Sequence, residues 1–269
     1  MPPTIEAVVL LGWIERDDAV SYLQNLCYFD PPHTNQQAQD LWAQYRQRVE
    51  ALPEREIQPL ERVPIPADFR RLVNDFLARH RGPEVREVIN LNPMGLLVYQ
   101  MYVITEIADG HAQQAGAWAR KSLVIDRPIV QMPVRVEADT MKITLPHAEH
   151  MIGVQPDGAF RIQQGGGFVS VAEIGGRLLL KAGYHRSFAF ARAVMNEPDA
   201  RDKCELVALT NTLPPQLSAG FPHQGLRTTL LGSRPPLFSD FFDADLVMQV
   251  RLRKKRFEVH IKMAQVDEP

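Results

Sequence analysis

Apolar and polar positions along this 269-residue chain change rhythm near residue 82. Before that point the spacing is mostly helical. Glu6 to Trp13 and Asp17 to Tyr28 read as two short helices, the second with Asp17 or Asp18 near its N-terminus. Asp30-Pro31-Pro32 ends the pair, because proline disfavours helix in the residue before it. Thr34 is placed to cap a third helix running to about Leu52, with Leu41, Tyr45, Arg48 and Val49 at helical spacing and Trp42 beside them. A connector from Leu52-Pro53 to Ile65-Pro66 follows, kept extended by Pro59, Pro64 and Pro66. Asp68 to His80 carries Phe69, Leu72, Val73, Phe76 and Leu77 as an amphipathic stripe that Gly82-Pro83 closes.

From Glu84 onward the pattern favours strands. Val85 to Asn90 is strand-like, and Leu96 to Ile107 is an apolar run that fits a strand or a buried helix equally. Ala112 to Ala119 reads as helix and Val134 to Leu145 as a strand or hairpin. Asp157-Gly158 is a hairpin turn between Met151–Val154 and Ala159–Gln163. Gly165-Gly166-Gly167 marks a loop, followed by a strand from Phe168 to Ile174, a tight turn at Gly175-Gly176 and a buried strand from Arg177 to Lys181. A helix from Arg186 to Met195 and a strand from Glu205 to Leu209 come next. The Pro- and Gly-rich stretch from Leu213 to Pro236 exceeds a simple connector and reads as a functional or mobile loop. Leu246 to Met263 reads as a hairpin around Arg253-Lys254-Lys255-Arg256. The expected architecture is α+β, with a helical region over 1–82 and a mixed-sheet domain over 83–269.

Composition narrows the function classes. An apolar share of 45% with 23% charged residues is that of an ordinary globular chain, and 30 Lys and Arg against 32 Asp and Glu give a net charge of −2. No global field draws the chain to nucleic acid or an anionic membrane, so such contacts need a local patch. Cys27 and Cys204 form no ligand spacing, which fits a reducing cytosol. No apolar run reaches the roughly 18–20 residues of a membrane span. Thr4 to Trp13 lacks the basic flank and cleavage site of a signal peptide. The expected location is cytoplasmic.

The sharpest chemical signal is Gly183-Tyr184-His185-Arg186-Ser187, where a buried strand turns into a helix. A helix start offers N–H groups without intrahelical partners and a positive dipole end, which suits phosphate. Gly183 takes positive φ and lets a ligand approach, His185 and Arg186 supply donors, and Ser187 caps the helix or donates its hydroxyl. Tyr184 lies within the same turn, and Lys181 adds charge if it turns outward. The plainer alternative is a helix cap whose histidine and arginine make ordinary contacts.

This strand–Gly-x-His-Arg–helix segment resembles the signature of the ParB/sulfiredoxin-like superfamily. Sulfiredoxin carries Gly-Cys-His-Arg at this turn and ParB carries Gly-Glu-Arg-Arg. Gly176-Arg-Leu-Leu-Leu-Lys before the turn, Ala189 after it and the strand Glu205 to Leu209 fit the same pattern, so the likeness spans roughly Phe168 to Leu209. The resemblance implies that Gly183, His185 and Arg186 face nucleotide phosphates. The cofactor is open; a nucleotide with Mg²⁺ is the candidate, although spacing assigns no carboxylate as a Mg²⁺ ligand. Tyr184 stands where sulfiredoxin has its reactive cysteine, so sulfinic-acid reduction is not expected.

Other motifs carry less. His147-Ala-Glu149-His150 offers metal-ligand types, but it lacks the HExxH spacing and a further ligand cluster, so a surface turn is expected and no metal site. Arg251, Arg253, Lys254, Lys255 and Arg256 put five cations in six residues, a patch able to neutralise nucleic-acid phosphates or to keep a strand edge soluble. Asn211 and His223 reach the Gly183 turn if the long loop folds over it. No Gly-x-Ser-x-Gly elbow and no Walker A loop occurs. The leading expectation is a protein that binds a nucleotide or other phosphorylated ligand at Gly183–Ser187. One competing reading is a nucleic-acid-associated protein using the basic residues. The other is a homo-oligomer or assembly protein that joins through Trp13, Tyr22, Leu26, Trp42 and Tyr45.

Overall fold

The computed structural model describes residues 3–57, 63–65, 67–80, 84–112, 134–137, 140–145, 150–154, 160–164, 168–196, 204–214, 217, 224–254 and 257–262. Its contacts gather into two compact units, one of Thr4–Val124 with Gly167–Arg253, the other of Met1–Pro3, Ile125–Gly166 and Lys254–Pro269. Both sides of the Gly82-Pro83 point belong to the larger unit, so the units do not divide the chain there.

The larger unit runs β1 (Thr4–Val9), α1 (Arg16–Asn25), α2 (Asn35–Ala51), α3 (Arg70–His80), β2 (Val85–Leu91), β3 (Tyr102–Ile104) and α4 (Thr105–Ala112). The smaller unit holds β4 (Val134–Glu137), β5 (Thr140–Leu145), β6 (His150–Val154) and β7 (Phe160–Gln164). The chain then returns to the larger unit with β8 (Ser170–Ile174), β9 (Arg177–Ala182), α5 (Tyr184–Met195), β10 (Glu205–Thr210), α6 (Gln224–Leu231) and β11 (Met248–Arg253), and closes in the smaller one with β12 (Phe257–Lys262). The protein is α+β, but a strand comes first.

That strand corrects the expected Glu6–Trp13 helix. Ile5, Ala7 and Val9 pack in one core with Leu23 and Leu252, while Val8 and Leu10 pack in a second with Val103. A strand buried on both faces loses the alternation of two that would announce it. β1 is the middle strand of the sheet β11-β1-β3, antiparallel to both neighbours. The expected helix at Thr34 forms with a reciprocal cap. The Thr34 hydroxyl accepts from Gln37 N–H, and the Gln37 side chain accepts from Thr34 N–H.

The second sheet of this unit has the order β2-β10-β8-β9. β8 and β9 form a hairpin around Gly175 and Gly176, both at positive φ. β10 runs parallel to β8, a pairing that needs a crossover, and α5 supplies it. Phe188 holds α5 in place, stacked on Phe242 at 4.8 Å and edge-on to Phe241 at 6.4 Å. Burying such a ring contributes roughly 1.5–3 kcal/mol. Segments outside the sheets cover three strand edges. Residue 97 bridges β9, Val63 bridges Asn90 on β2, and Cys27 bridges Leu252 on β11. Covered edges leave fewer N–H and C=O groups open to a second chain.

In the smaller unit β12, β5 and β4 form an antiparallel sheet and β6 pairs with β7. The hairpin expected over Leu246–Met263 therefore does not form: β11 pairs with β1 and β12 with β5. The strand or hairpin expected over 134–145 is an antiparallel pair of strands, and the hairpin expected over 151–163 is present as a backbone pairing. Within the long Leu213–Pro236 stretch, α6 takes up residues 224–231. The Asp157-Gly158 turn, the Gly165–Gly167 triplet and residues 113–119 of the expected Ala112–Ala119 helix lie outside the described residues.

Candidate functional site

β9 rises to Ala182, and Gly183 turns the chain into α5 at φ 94°, ψ 23°. Only glycine suits this position. A Cβ there would sit 2.6 Å from Val169 Cγ2 and 2.9 Å from Val169 Cα, besides the strain of a left-handed backbone. The helix has no side-chain N-cap and no acidic residue in its first turn. Its positive end is therefore not neutralised by its own opening sequence.

Two of the expected ligand contacts point inward instead. Tyr184 is 3% exposed, and its hydroxyl accepts from Tyr99 N–H at 3.0 Å and Gln100 N–H at 3.2 Å while donating to Leu180 O at 2.9 Å. Burial raises the pKa of this phenol, which stays neutral and has its hydrogen-bonding capacity filled by backbone. Ser187 is wholly buried and donates to Glu205 Oε2 at 2.8 Å. It neither caps the helix nor faces a ligand, and its own N–H donates to Gly183 O. The spacing 184, 187, 188, 191 is one helical face, and that signal was available in the sequence.

Lys181 is also misplaced by the expectation. Leu178 and Leu180 pack with the α5 core and Leu179 with a separate cluster of Ile174, Leu217 and Leu230. Alternation puts Lys181 on the Leu179 side of the sheet, away from α5, and its ammonium donates to Thr212 Oγ1 at 2.8 Å. His185 and Arg186 are half-buried at the start of α5. What the structure brings together is Gly183, His185, Arg186 and a residue the sequence reading passed over, Glu205.

Glu205 opens β10 and is 1% exposed. Desolvation pushes its carboxyl up to about 7, against the Ser187 hydroxyl and the charge of Arg186, which both draw it down. A glutamate heading the apolar run Leu206-Val-Ala-Leu was the signal to notice. Asn211 is exposed and its N–H donates to Glu84 O, while His223 lies outside the described residues.

The basic patch is placed only in part. Arg251 lies over the Tyr28 ring at 5.6 Å and opposite Glu6 in the β1–β11 register. Arg253 is half-buried and opposite Thr4, its charge acting on the buried thiol of Cys27, which desolvation pushes up to about 12. Lys254 is exposed, and Lys255 and Arg256 lie outside the described residues. His147 and Glu149 lie outside them as well. Among the described residues no group of three metal-ligating side chains assembles. Of the aromatic residues considered for an assembly face, Trp13 is buried and its Nε1 donates to Arg234 O at 3.0 Å, Trp42 Nε1 donates to Ile14 O at 2.9 Å, and Tyr22, Trp42 and Tyr45 are partly buried against the cluster around Leu23. No described helix is long and apolar enough to cross a membrane.

Comparison with protein-family models, with curated proteins and with solved structures found no match.

Proposed function

We propose that the protein binds a phosphorylated ligand, a nucleotide in the leading case, at the Gly183–Arg186 start of α5. The observation that supports this best is the glycine-shaped helix start without an acidic residue in its first turn, with His185 and Arg186 on that turn. A phosphate there would accept from first-turn N–H groups and from the Arg186 guanidinium. The resemblance to the ParB/sulfiredoxin-like superfamily over roughly Phe168 to Leu209, the stretch of β8, β9, α5 and β10, is part of the proposal. Tyr184, Ser187 and Lys181 are not part of the proposed contact set. Arg186 would have to serve the ligand and Glu205 together, which predicts modest affinity for a single phosphate group and tighter binding for a di- or triphosphate.

The test is ligand-induced stabilisation, read by thermal denaturation, with sulfate, pyrophosphate and nucleoside di- and triphosphates, each with and without Mg²⁺. One ligand should raise the midpoint, Arg186→Ala should weaken its binding about tenfold, roughly one lost charge-assisted hydrogen bond, and Lys181→Ala should change nothing. A flat response of the wild type at millimolar ligand would overturn the proposal.

A further inference from the structure

The space between α5 and β10 is lined by Phe188, Ala189, Ala191, Val207 and Leu209, an apolar interior. Within it Ser187 Oγ of α5 and Glu205 Oε2 of β10 lie 2.8 Å apart. Ser187 is the last residue of the first helical turn and Glu205 the first residue of the strand. The contact therefore ties the beginning of one element to the beginning of the other. A neutral carboxyl rests in such a site at little cost, whereas a carboxylate needs several donors to offset its lost hydration.

We propose that the buried Glu205 carboxyl is a proton-operated latch: the first turn of α5 stays closed over it, with Ser187 in contact, while Glu205 is neutral, and opens to hydrate the carboxylate when Glu205 ionises. Ser187 and Arg186 bear on Glu205 from α5. Across the strand ladder it faces Leu91 of β2, an apolar neighbour. Charged side chains on neighbouring described elements have partners of their own. Asp109 of α4 pairs with Arg192 at the other end of α5, Glu106 accepts from Glu6 N–H, and Arg86 pairs with Glu173 towards the opposite end of the sheet. Tyr184 is held by the backbone of 99–100.

The sign follows from Glu205 being raised from 4.5 to about 7. The closed form binds the proton more tightly than an opened form in water. The latch is thus fully engaged below about 4.5, weakens as pH rises, and reaches its weakest level above about 7. Hydrogen exchange of the intact protein, corrected for the intrinsic pH effect, reads this at the amides of Ser187, which donates to Gly183 O, and Phe188, the first that bond within the helix. Protection there should fall at least tenfold between pH 5 and 7.5 in the wild type and stay level in Glu205→Gln. A histidine also changes charge in this interval, so His185→Gln is measured beside it and should keep the wild-type fall. Ser187→Ala removes a donor that favours the carboxylate, so its decline should continue to higher pH. Equal wild-type protection at both pH values would overturn the latch. So would a fall that persists in Glu205→Gln, or a Ser187→Ala profile that does not move.

Discussion

Among the described residues of the larger unit two carboxylates lie buried, and they are treated differently. Asp240 is gripped by Arg55 in a two-pronged contact, Nη1 to Oδ2 at 2.7 Å and Nη2 to Oδ1 at 2.8 Å, and Oδ2 also accepts from Leu237 N–H at 2.8 Å. The same guanidinium donates to Pro235 O and lies over Trp13. Glu205 has one hydroxyl and a neighbouring cation. Burial raises both acids, but Asp240 is surrounded by donors that favour its charge, while Glu205 is left to reach about 7. One acid joins the 52–57 connector to the 233–242 segment as an ion. The other joins a helix to a strand as a titrating group. Burial alone does not set a carboxyl's role; the number and charge of its donors do.

The comparison can be broken at Asp240 first. Asp240→Ala leaves the mostly buried Arg55 without its ion partner and should cost about 3–5 kcal/mol in chemical denaturation. Replacing both residues by apolar ones of similar size should cost far less, which would show that the pair is costly to break and not intrinsically strong. At Glu205 the dependence is on pH. Relative to Glu205→Gln, the wild type should lose up to about 3 kcal/mol as pH rises from about 4.5 to about 7 and then level off. Parallel stability curves for the two proteins would refute the assignment. Tyr184 holds the same helix start by neutral bonds only, so Tyr184→Phe, which strands the N–H groups of 99 and 100, should cost about 2 kcal/mol with no change in pH profile. Thr34→Ala gives the surface baseline, about 1 kcal/mol for a lost cap.

Much of this fold was readable where one side of an element meets water. α2 could be found from Thr34 and its half-exposed Leu41, Trp42 and Tyr45, and the β8–β9 hairpin from Gly175-Gly176. β1 could not, because its residues are drawn into two cores at once. Alternation along Val250, Leu252, Val259 and Ile261 suggests strands but carries no record of their partners, so β11 and β12 were joined in error. At the site, the glycine turn was legible from Gly183 and the helix that follows. The inward turn of Tyr184 and Ser187 depends on which face of α5 meets the sheet, and Lys181 on which side of β9 it falls. Glu205 stands out in the sequence as an acid heading an apolar run, but its contact with Ser187 does not, because that partner lies in another element.

The pairing of Thr4–Val9 with Met248–Arg253 has a consequence for biosynthesis. During translation the first strand emerges long before its outer neighbour exists. β3 can join it once residue 104 has left the ribosome, yet the sheet is not closed until residue 253 follows. Until then a strand carrying Ile5, Ala7, Val8 and Val9 has one open flank, which puts the nascent chain at risk of misassociation and makes late, long-range closure the slow event.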